Sequence, residues 1–268
     1  MSETRGQRET RGAAGLISAM APRCPLAEGA TAAQLSKRGW ELARDGDLQT
    51  SLACHKLATE NPDANVFAWF YRGSTEQQLG MDAEAKKSFD ISVDAKRGPP
   101  HLEPAPATEA YFQLGKIARD SGDFAAAERH YLASVRLQPS APGAHVMLGV
   151  TLRDDGRTEE ALARYADGLR IQPAIPAAQY NKAQCLLSLG QRVEAIDGFA
   201  KAVQIDPSFA LAYTALGDEL SAQPQHRHDE AIRAYRALAA IEPSSAKAEV
   251  SSASNVATPA AAHGQMKC

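Results

Sequence analysis

The closest approach to a metal-binding or catalytic cluster in this sequence is the stretch QPQHRHDEA, which contains His226, His228 and Asp229. Imidazole and carboxylate groups ligate zinc and nickel, so a metal site is one interpretation of these residues. The other is a solvated turn, because the stretch is polar and lengthens one unit of a repeat by two residues. We favour the turn and expect no metal and no cofactor.

No other pattern of residues points to catalysis. The sequence has no glycine-rich phosphate-binding or dinucleotide-binding motif, no serine-hydrolase motif and no zinc-protease motif. Its carboxylates fall mostly at predicted turns and on solvent-facing helix positions. We therefore predict that the protein is not an enzyme.

The charge of the chain is nearly balanced, with 29 Lys and Arg against 32 Asp and Glu. Proteins dedicated to nucleic acids or to membrane surfaces need a basic excess to hold phosphates, so neither partner is expected. No apolar run is long enough for a membrane-spanning helix, and we expect no membrane insertion. About a fifth of the residues are alanine, which favours helices.

The four cysteines lie far apart, and none belongs to a CxxC pair: Cys24, Cys54, Cys185 and Cys268. This spacing is typical of free thiols. The first residues also lack the apolar core of a signal peptide. We therefore expect reduced thiols and a cytoplasmic or other reducing intracellular location.

A period of 34 residues runs through most of the chain. It is carried by small, aromatic and proline ladders: Gly115, Gly149, Ala183 and Gly217; Ala127, Ala161 and Ala195; Tyr131, Tyr165 and Phe199; Pro139, Pro173 and Pro207. The last three ladders continue two residues late, at Ala231, Tyr235 and Pro243. Weaker copies lie upstream, at Gly73, Ala85 and Phe89, and at Gly39, Ser51, His55 and Pro62. The period predicts six units between Thr31 and Pro243.

Each unit contains two amphipathic helical patterns around a turn. In the unit that starts at Thr108, Tyr111, Leu114 and Ala118 share one helical face, and Gly122 marks the turn. The small residues of the ladders fall where the two helices cross, since a larger side chain would push them apart. The pattern predicts an all-α protein of helix-turn-helix units.

The period, the Trp69 to Gly73 spacing and the alanine, aromatic and proline ladders resemble the tetratricopeptide repeat (TPR) family. The first unit departs from the family pattern, with Leu35 in place of an aromatic residue and His55 at the second aromatic position. The resemblance implies a right-handed α-solenoid of about six TPR units. It also implies a concave groove lined by the first helix of each unit.

The repeat divides the chain into five segments. Residues 1–30 are predicted to be disordered, and residues 31–97 form the first two units. Residues 98–107 form a proline-rich insert, which begins with GPPHLEPAP. Residues 108–243 form the remaining four units, and residues 244–268 are predicted to be a disordered tail. Nothing amphipathic follows Pro243, so the sixth unit is expected to lack a cap.

Apolar residues dominate the positions that the repeat register leaves facing the groove, where an unpartnered helix would carry charge. The predicted partner groove comprises Trp40, Phe67, Phe70, Tyr71, Phe112, Lys116, Val146, Met147, Val150, Tyr180 and Asn181. Large side chains of this kind supply binding energy in protein interfaces. The alternative is that they pack against the chain's own segments, such as Leu16 to Met20 or the proline-rich insert.

Two specialisations of the family are missing. The positions of the chaperone-binding clamp of lysines, asparagines and an arginine hold Ser36, Trp40, Tyr71, Glu109 and Gln113. The asparagine ladder of the O-linked N-acetylglucosamine transferase keeps only Asn181. The predicted function is therefore a non-enzymatic adaptor or scaffold that binds some other protein or peptide segment in its groove.

Two alternatives stay open. One is a regulatory or targeting subunit of an enzyme complex. The other is a self-assembling scaffold, a homo-oligomer formed when the uncapped sixth unit stacks on another copy.

Overall fold

The computed structural model describes residues 22–26, 29–94, 104–222 and 227–243. Over these ranges the chain forms twelve α-helices and no β-strand, which confirms the all-α prediction. The helices are six consecutive pairs: α1 (Ala32–Arg44) and α2 (Leu48–Glu60), α3 (Val66–Gln78) and α4 (Asp82–Ser92), α5 (Pro104–Asp120) and α6 (Phe124–Leu137), α7 (Pro142–Asp154) and α8 (Thr158–Ile171), α9 (Pro176–Ser188) and α10 (Arg192–Ile205), α11 (Ala210–Ser221) and α12 (His228–Ile241).

Local sequence signals start and end these helices. Thr31 Oγ1 accepts the amide of Gln34, whose side chain accepts the amide of Thr31, and this reciprocal capping box starts α1. Pro142 and Pro176 occupy the first turn of α7 and α9, where an amide has no partner within the helix. Gly122 adopts a φ of +80° between α5 and α6, a left-handed conformation that glycine enters without a steric penalty.

Each pair is held together by a ring of the second helix that packs on a small residue of the first. Tyr131 of α6 is fully buried over Gly115 of α5, where an added Cβ would lie 2.7 Å from the ring. Tyr165 covers Gly149 in the same way, with a closest distance of 2.9 Å. The absent side chain lets the two helices approach until the ring fills the space between them.

The ring, and not the hydroxyl group, is what this ladder position uses. The hydroxyls of Tyr131 and Tyr165 are buried without a hydrogen-bond partner among the described residues. Burial raises the pKa of Tyr131 to about 12 and raises the pKa of Tyr165 as well. Phe199 fills the equivalent position in α10 with no hydroxyl at all. Among the tyrosines at this position Tyr235 differs, since its hydroxyl donates to Asp218 Oδ1 at 2.7 Å.

The chain divides into two compact units, one ending at Ala110 and the other beginning at Tyr111, within α5. In the first unit α2 packs on α3, and α1 also contacts α3. In the second unit α6 packs on α7, α8 on α9 and α10 on α11. Within each unit, then, successive pairs stack on one another, which is the arrangement of an α-solenoid.

The described residues before α1, 22–26 and 29–30, are attached to the first pair, contrary to the expectation of free thiols and of disorder up to residue 30. Cys24 forms a disulfide with Cys54 of α2, and Asn61 Nδ2 donates to the carbonyl of Ala30 at 2.9 Å. The sequence did not predict this disulfide, because the two cysteines are 30 residues apart and meet only when the chain folds back. Disulfides persist mainly in oxidising compartments, so the basis for expecting a reducing one is removed. Cys185 is a buried free thiol.

Helix α5 begins at Pro104, inside the segment 98–107 that the sequence assigns to the proline-rich insert. Its first residues, PAPA, place both prolines in the first helical turn, where proline is tolerated. Other predicted features lie outside the described residues: the N-terminal segment to residue 21 with Leu16 to Met20, the rest of the insert, His226, and the tail 244–268 with Cys268. No described helix is both long and apolar enough to cross a bilayer.

Gly115→Ala should destabilise the second unit, because the added methyl meets the buried Tyr131 ring. Overpacking of this kind costs about 1–3 kcal/mol, against a gain of up to about 1 kcal/mol in helix propensity. Gly143→Ala is the matched control, since its added Cβ would be 3.8 Å from Phe112 and the site is exposed. Thermal unfolding followed by circular dichroism measures both. Equal melting temperatures for the two variants would contradict the packing argument.

Cys24→Ala should lower the melting temperature of the first unit, because a disulfide limits the freedom of the unfolded chain, typically by about 2–4 kcal/mol. Both tryptophans, Trp40 and Trp69, lie in this unit, so their fluorescence reports its unfolding. Reductant should lower the wild-type value to that of the variant and leave Cys24→Ala unchanged, while Cys268→Ser serves as the control. Alkylation of Cys24 in unreduced protein would count against the disulfide.

Candidate binding surface on the first helices

A cavity of about 370 Å³ opens between the first helices of the first two pairs, within the first unit. Its lining comes from one stripe of α1 and from the start of α3: Ala33, Ser36, Lys37, Trp40, Asn65, Phe67 and Tyr71. Ser36, Lys37 and Trp40 follow Ala33 by three, four and seven positions, which places the four residues on one side of α1. The cavity therefore follows from the stacking of α1 beside α3.

Aromatic side chains form the walls of this cavity. Trp40 is 49% exposed, although large apolar side chains are usually covered, and Arg44 lies 5.4 Å from the centre of its indole. Tyr71 is partly buried, and its ring packs edge-on against Phe70 at 5.6 Å between centroids. Together with Phe67 these rings offer an apolar surface that another molecule could cover.

Ser36 is the unusual polar residue of the lining. Its side chain is buried at 6% exposure, yet its Oγ has no hydrogen-bond partner among the described residues. A buried polar atom left without a partner costs about 1–3 kcal/mol. The backbone carbonyl of Ser36 is already used, because it accepts from His55 Nε2 at 3.2 Å.

A buried polar network supports the cavity from the second helix. His55 is 1% exposed, and its Nδ1 lies 3.1 Å from Thr75 Oγ1 of α3. Since the Ser36 carbonyl can only accept, Nε2 carries the proton of the neutral ring. The single hydroxyl proton of Thr75 lies between two acceptors, His55 Nδ1 and the Tyr71 carbonyl, which is also 3.1 Å from Thr75 Oγ1. Burial lowers the pKa of His55 below its ordinary value of 6.5, so the ring is neutral at neutral pH. This network fixes α1 and α3 on either side of the cavity.

A second polar cluster anchors α3 to its neighbours. Glu76 is fully buried and accepts from Arg72 Nε at 2.8 Å and from Ser88 Oγ of α4 at 2.6 Å. Arg72 also donates to Thr59 Oγ1 of α2 at 3.1 Å. The carboxylate is thus paired with a cation, which offsets the cost of burying its charge.

The predicted groove residues of the first unit divide into two groups. Trp40, Phe67 and Tyr71 line the cavity. Phe70 instead turns toward α4, where its ring lies 5.9 Å from that of Phe89. Four other lining residues are absent from the predicted partner-groove set, namely Ala33, Ser36, Lys37 and Asn65. Ala33, Ser36 and Lys37 share the helical face of Trp40, and that spacing is the signal that could have identified them.

In the second unit the predicted residues lie on α5, α7 and α9 and are partly used by the fold. Phe112 packs edge-on against Tyr131 at 5.6 Å, while Met147 and Val150 pack partly buried against the same core. The prediction that Val146 faces the groove is wrong. Its exposure is only 9%, and its side chain faces α8, where a Cβ on Gly168 would lie 2.9 Å from it.

The remaining predicted residues also have their own contacts, apart from one. Tyr180 packs between Phe199 and Phe209, at centroid distances of 5.5 and 5.3 Å. Asn181 Oδ1 accepts from Arg153 at 2.9 Å. Lys116 is exposed. Within the ranges that the structure covers, no three His, Cys, Asp or Glu side chains gather as a metal site would require.

Six helix pairs in a common register define the class of the protein, an α-solenoid of helix-turn-helix repeats. Two family models, both described as tetratricopeptide repeat, match residues 112–174 and 152–218. Together the two models cover residues 112–218, and over these residues the chain is similar to tetratricopeptide repeats.

Solved structures show the same fold. YrrB, a TPR protein with an unusual peptide-binding site, is 22% identical, with a TM-score of 0.58 over 69% of this chain and 91% of that chain. PilF of Pseudomonas aeruginosa is 14% identical, with a TM-score of 0.64 over 83% and 97%. The C-terminal part of a TPR repeat-containing protein from Cytophaga hutchinsonii is 14% identical, with a TM-score of 0.65 over 84% and 88%. No curated protein matches the sequence.

The first unit should lose stability as the pH falls below the ordinary pKa of histidine. The pKa of His55 is lower in the folded chain than in the unfolded chain, so acid protonates the unfolded chain first and favours unfolding. Tryptophan fluorescence should therefore show a lower melting temperature at about pH 5 than at about pH 7.5.

His55→Tyr places at this position the aromatic residue found in the other helix pairs. It should reduce the difference in melting temperature between the two pH values. His228→Gln should keep it, because His228 is exposed at the start of α12. If the wild type and His55→Tyr lose equal stability on acidification, another group is responsible.

Proposed function

We propose that this protein is a non-enzymatic interaction module that binds a segment of a protein partner, with the cavity between α1 and α3 as its anchor site. The observation that carries the proposal is Trp40, which is 49% exposed beside the aromatic walls of a cavity of about 370 Å³. Clefts of this size with apolar walls and a few polar groups are the usual form of a binding site.

The TPR fold supports the same interaction class. Its repeats place a row of first helices side by side within each unit, which gives an extended surface for a linear segment. YrrB, a structural neighbour, is a TPR protein with a peptide-binding site, and the likeness makes a peptide the natural occupant to test. The proposal needs no catalytic group, no metal and no cofactor.

A TPR array can also serve as the regulatory subunit of an enzyme complex. In that case the same cavity would hold a segment of the catalytic partner. Binding of a linear segment is the step shared by both roles, so it is the step to measure first.

Trp40→Ala should reduce the affinity for peptides selected from a random dodecapeptide library on the immobilised wild-type chain. Loss of a central aromatic anchor costs about 2 kcal/mol or more, which is roughly a 30-fold change in Kd. Leu57→Ala is the matched control, since Leu57 is 45% exposed on α2 and does not line the cavity. Fluorescence anisotropy of labelled peptides gives the affinities.

Both variants should keep the wild-type melting temperature, because both side chains are exposed. Peptides that bind Trp40→Ala as well as they bind the wild type would reject the cavity as the anchor site. A molar mass that rises with concentration in light scattering would instead favour the self-assembling scaffold.

A further inference from the structure

The described residues before α1, 22–26 and 29–30, form a strap that lies against the first helix pair. Cys24 and Ala30 are partly buried, and the other described residues of the strap are exposed. A segment that buries so little apolar surface gains little from packing alone. Within the described residues, the disulfide to Cys54 and the hydrogen bond from Asn61 Nδ2 to the Ala30 carbonyl attach it.

The strap covers a core cluster that joins three helices. Cys24 and Ala30 pack against this cluster, which is formed by Ala32 and Leu35 of α1, Ala58 of α2 and Ala68 of α3. A depression of about 290 Å³ is lined by the strap and by the facing side of α1 and α2: Leu26, Gly29, Ala30, Leu35, Leu57, Glu60 and Asn61. Release of the strap would therefore open the cluster to water at the start of α1.

The start of α1 is also connected to the start of α3. Ala30 is followed by the capping residue Thr31, and the amide of Ala32 donates to Asp63 Oδ1 at 3.0 Å. Asp63 lies in the loop between α2 and α3, and this loop ends at Asn65, which caps α3 and lines the cavity between α1 and α3. The strap thus helps to fix both walls of that cavity.

The two cysteines of the disulfide differ in exposure, since Cys54 is fully buried and Cys24 is partly exposed. A dithiol reductant therefore reaches the bond at Cys24. One of its thiolates attacks Cys24 Sγ, the S–S bond breaks, and Cys54 Sγ leaves with the electron pair and takes up a proton. The second thiolate attacks the mixed disulfide, Cys24 Sγ leaves and takes up a proton, and the reductant carries the new disulfide.

We propose that the Cys24–Cys54 disulfide is a redox switch that sets the affinity of the cavity between α1 and α3. In the oxidised chain the strap fixes the start of α1. Reduction by a dithiol releases the strap, loosens the start of α1 and weakens binding in the cavity. The loss of affinity rests on the proposed function, whereas the release of the strap does not.

Alkylation with iodoacetamide measures the release of the strap, at a temperature below the melting temperature of the reduced chain. After reduction with dithiothreitol and removal of the reagent, Cys24 should react faster than Cys185, a buried free thiol that serves as an internal reference. Equal rates at the two cysteines would overturn the proposal, because the strap would then have stayed in place.

Hydrogen exchange read by mass spectrometry tests whether the change is local. Reduction should speed exchange at the start of α1, where the amide of Leu35 donates to the carbonyl of Thr31. The amide of Val93, which donates to the carbonyl of Phe89 at the end of α4, should keep its protection. Equal loss of protection at both places would overturn the switch, since the disulfide would then support the whole unit.

The affinity of peptides selected on the oxidised wild-type chain measures the output of the switch. Reduction should raise their Kd by about fivefold or more, the lower end of typical couplings between two sites. Cys24→Ser should show the weaker affinity with or without dithiothreitol, because it has no bond to break. Cys268→Ser is the control and should respond to dithiothreitol as the wild type does.

These measurements separate the switch from the proposed function. If the peptides need Trp40 but bind the oxidised and reduced chains equally well, the switch is rejected and the proposed function stands. If no selected peptide depends on Trp40, the proposed function fails and the switch has no output, so it is rejected as well.

Discussion

The close approach of two helices at a residue without a side chain is the constraint on which the rest of this structure depends. The ring of Tyr131 fills the space left by Gly115, and the ring of Tyr165 fills the space left by Gly149. Because the contact recurs every 34 residues, it sets the rotation of every helix about its own axis. That rotation decides which residues of a first helix enter the core and which remain available to a partner.

The first helix pair, α1 and α2, keeps this constraint with different chemistry. His55 takes the place of the ring over Gly39, and its two nitrogens are bonded to Ser36 of α1 and Thr75 of α3. The residue that closes the first pair therefore also fixes the floor of the cavity beside Trp40. A polar core of this kind is sensitive to pH, since burial disfavours the protonated form of His55 and lowers its pKa.

Much of the candidate site could be predicted from the sequence, because the helical register follows from the repeat. Trp40, Phe67 and Tyr71 are identified in this way and line one cavity. Phe70 and Val146 could not be placed with the same accuracy, because each lies at the edge of the apolar face and only the packing of the next helix decides its side. A sequence pattern also could not predict that the buried Ser36 hydroxyl lacks a hydrogen-bond partner among the described residues, since this depends on every surrounding side chain.

The sequence by itself determined the helix pairs, their order and their resemblance to the TPR family, because the spacing of Gly115, Tyr131 and their repeats is a local property of the chain. Only the tertiary structure decided that Cys24 meets Cys54 and that α1 and α3 enclose a cavity. Both depend on residues about 30 positions apart that come together when the pairs stack. The helical period contains no information about such contacts between elements.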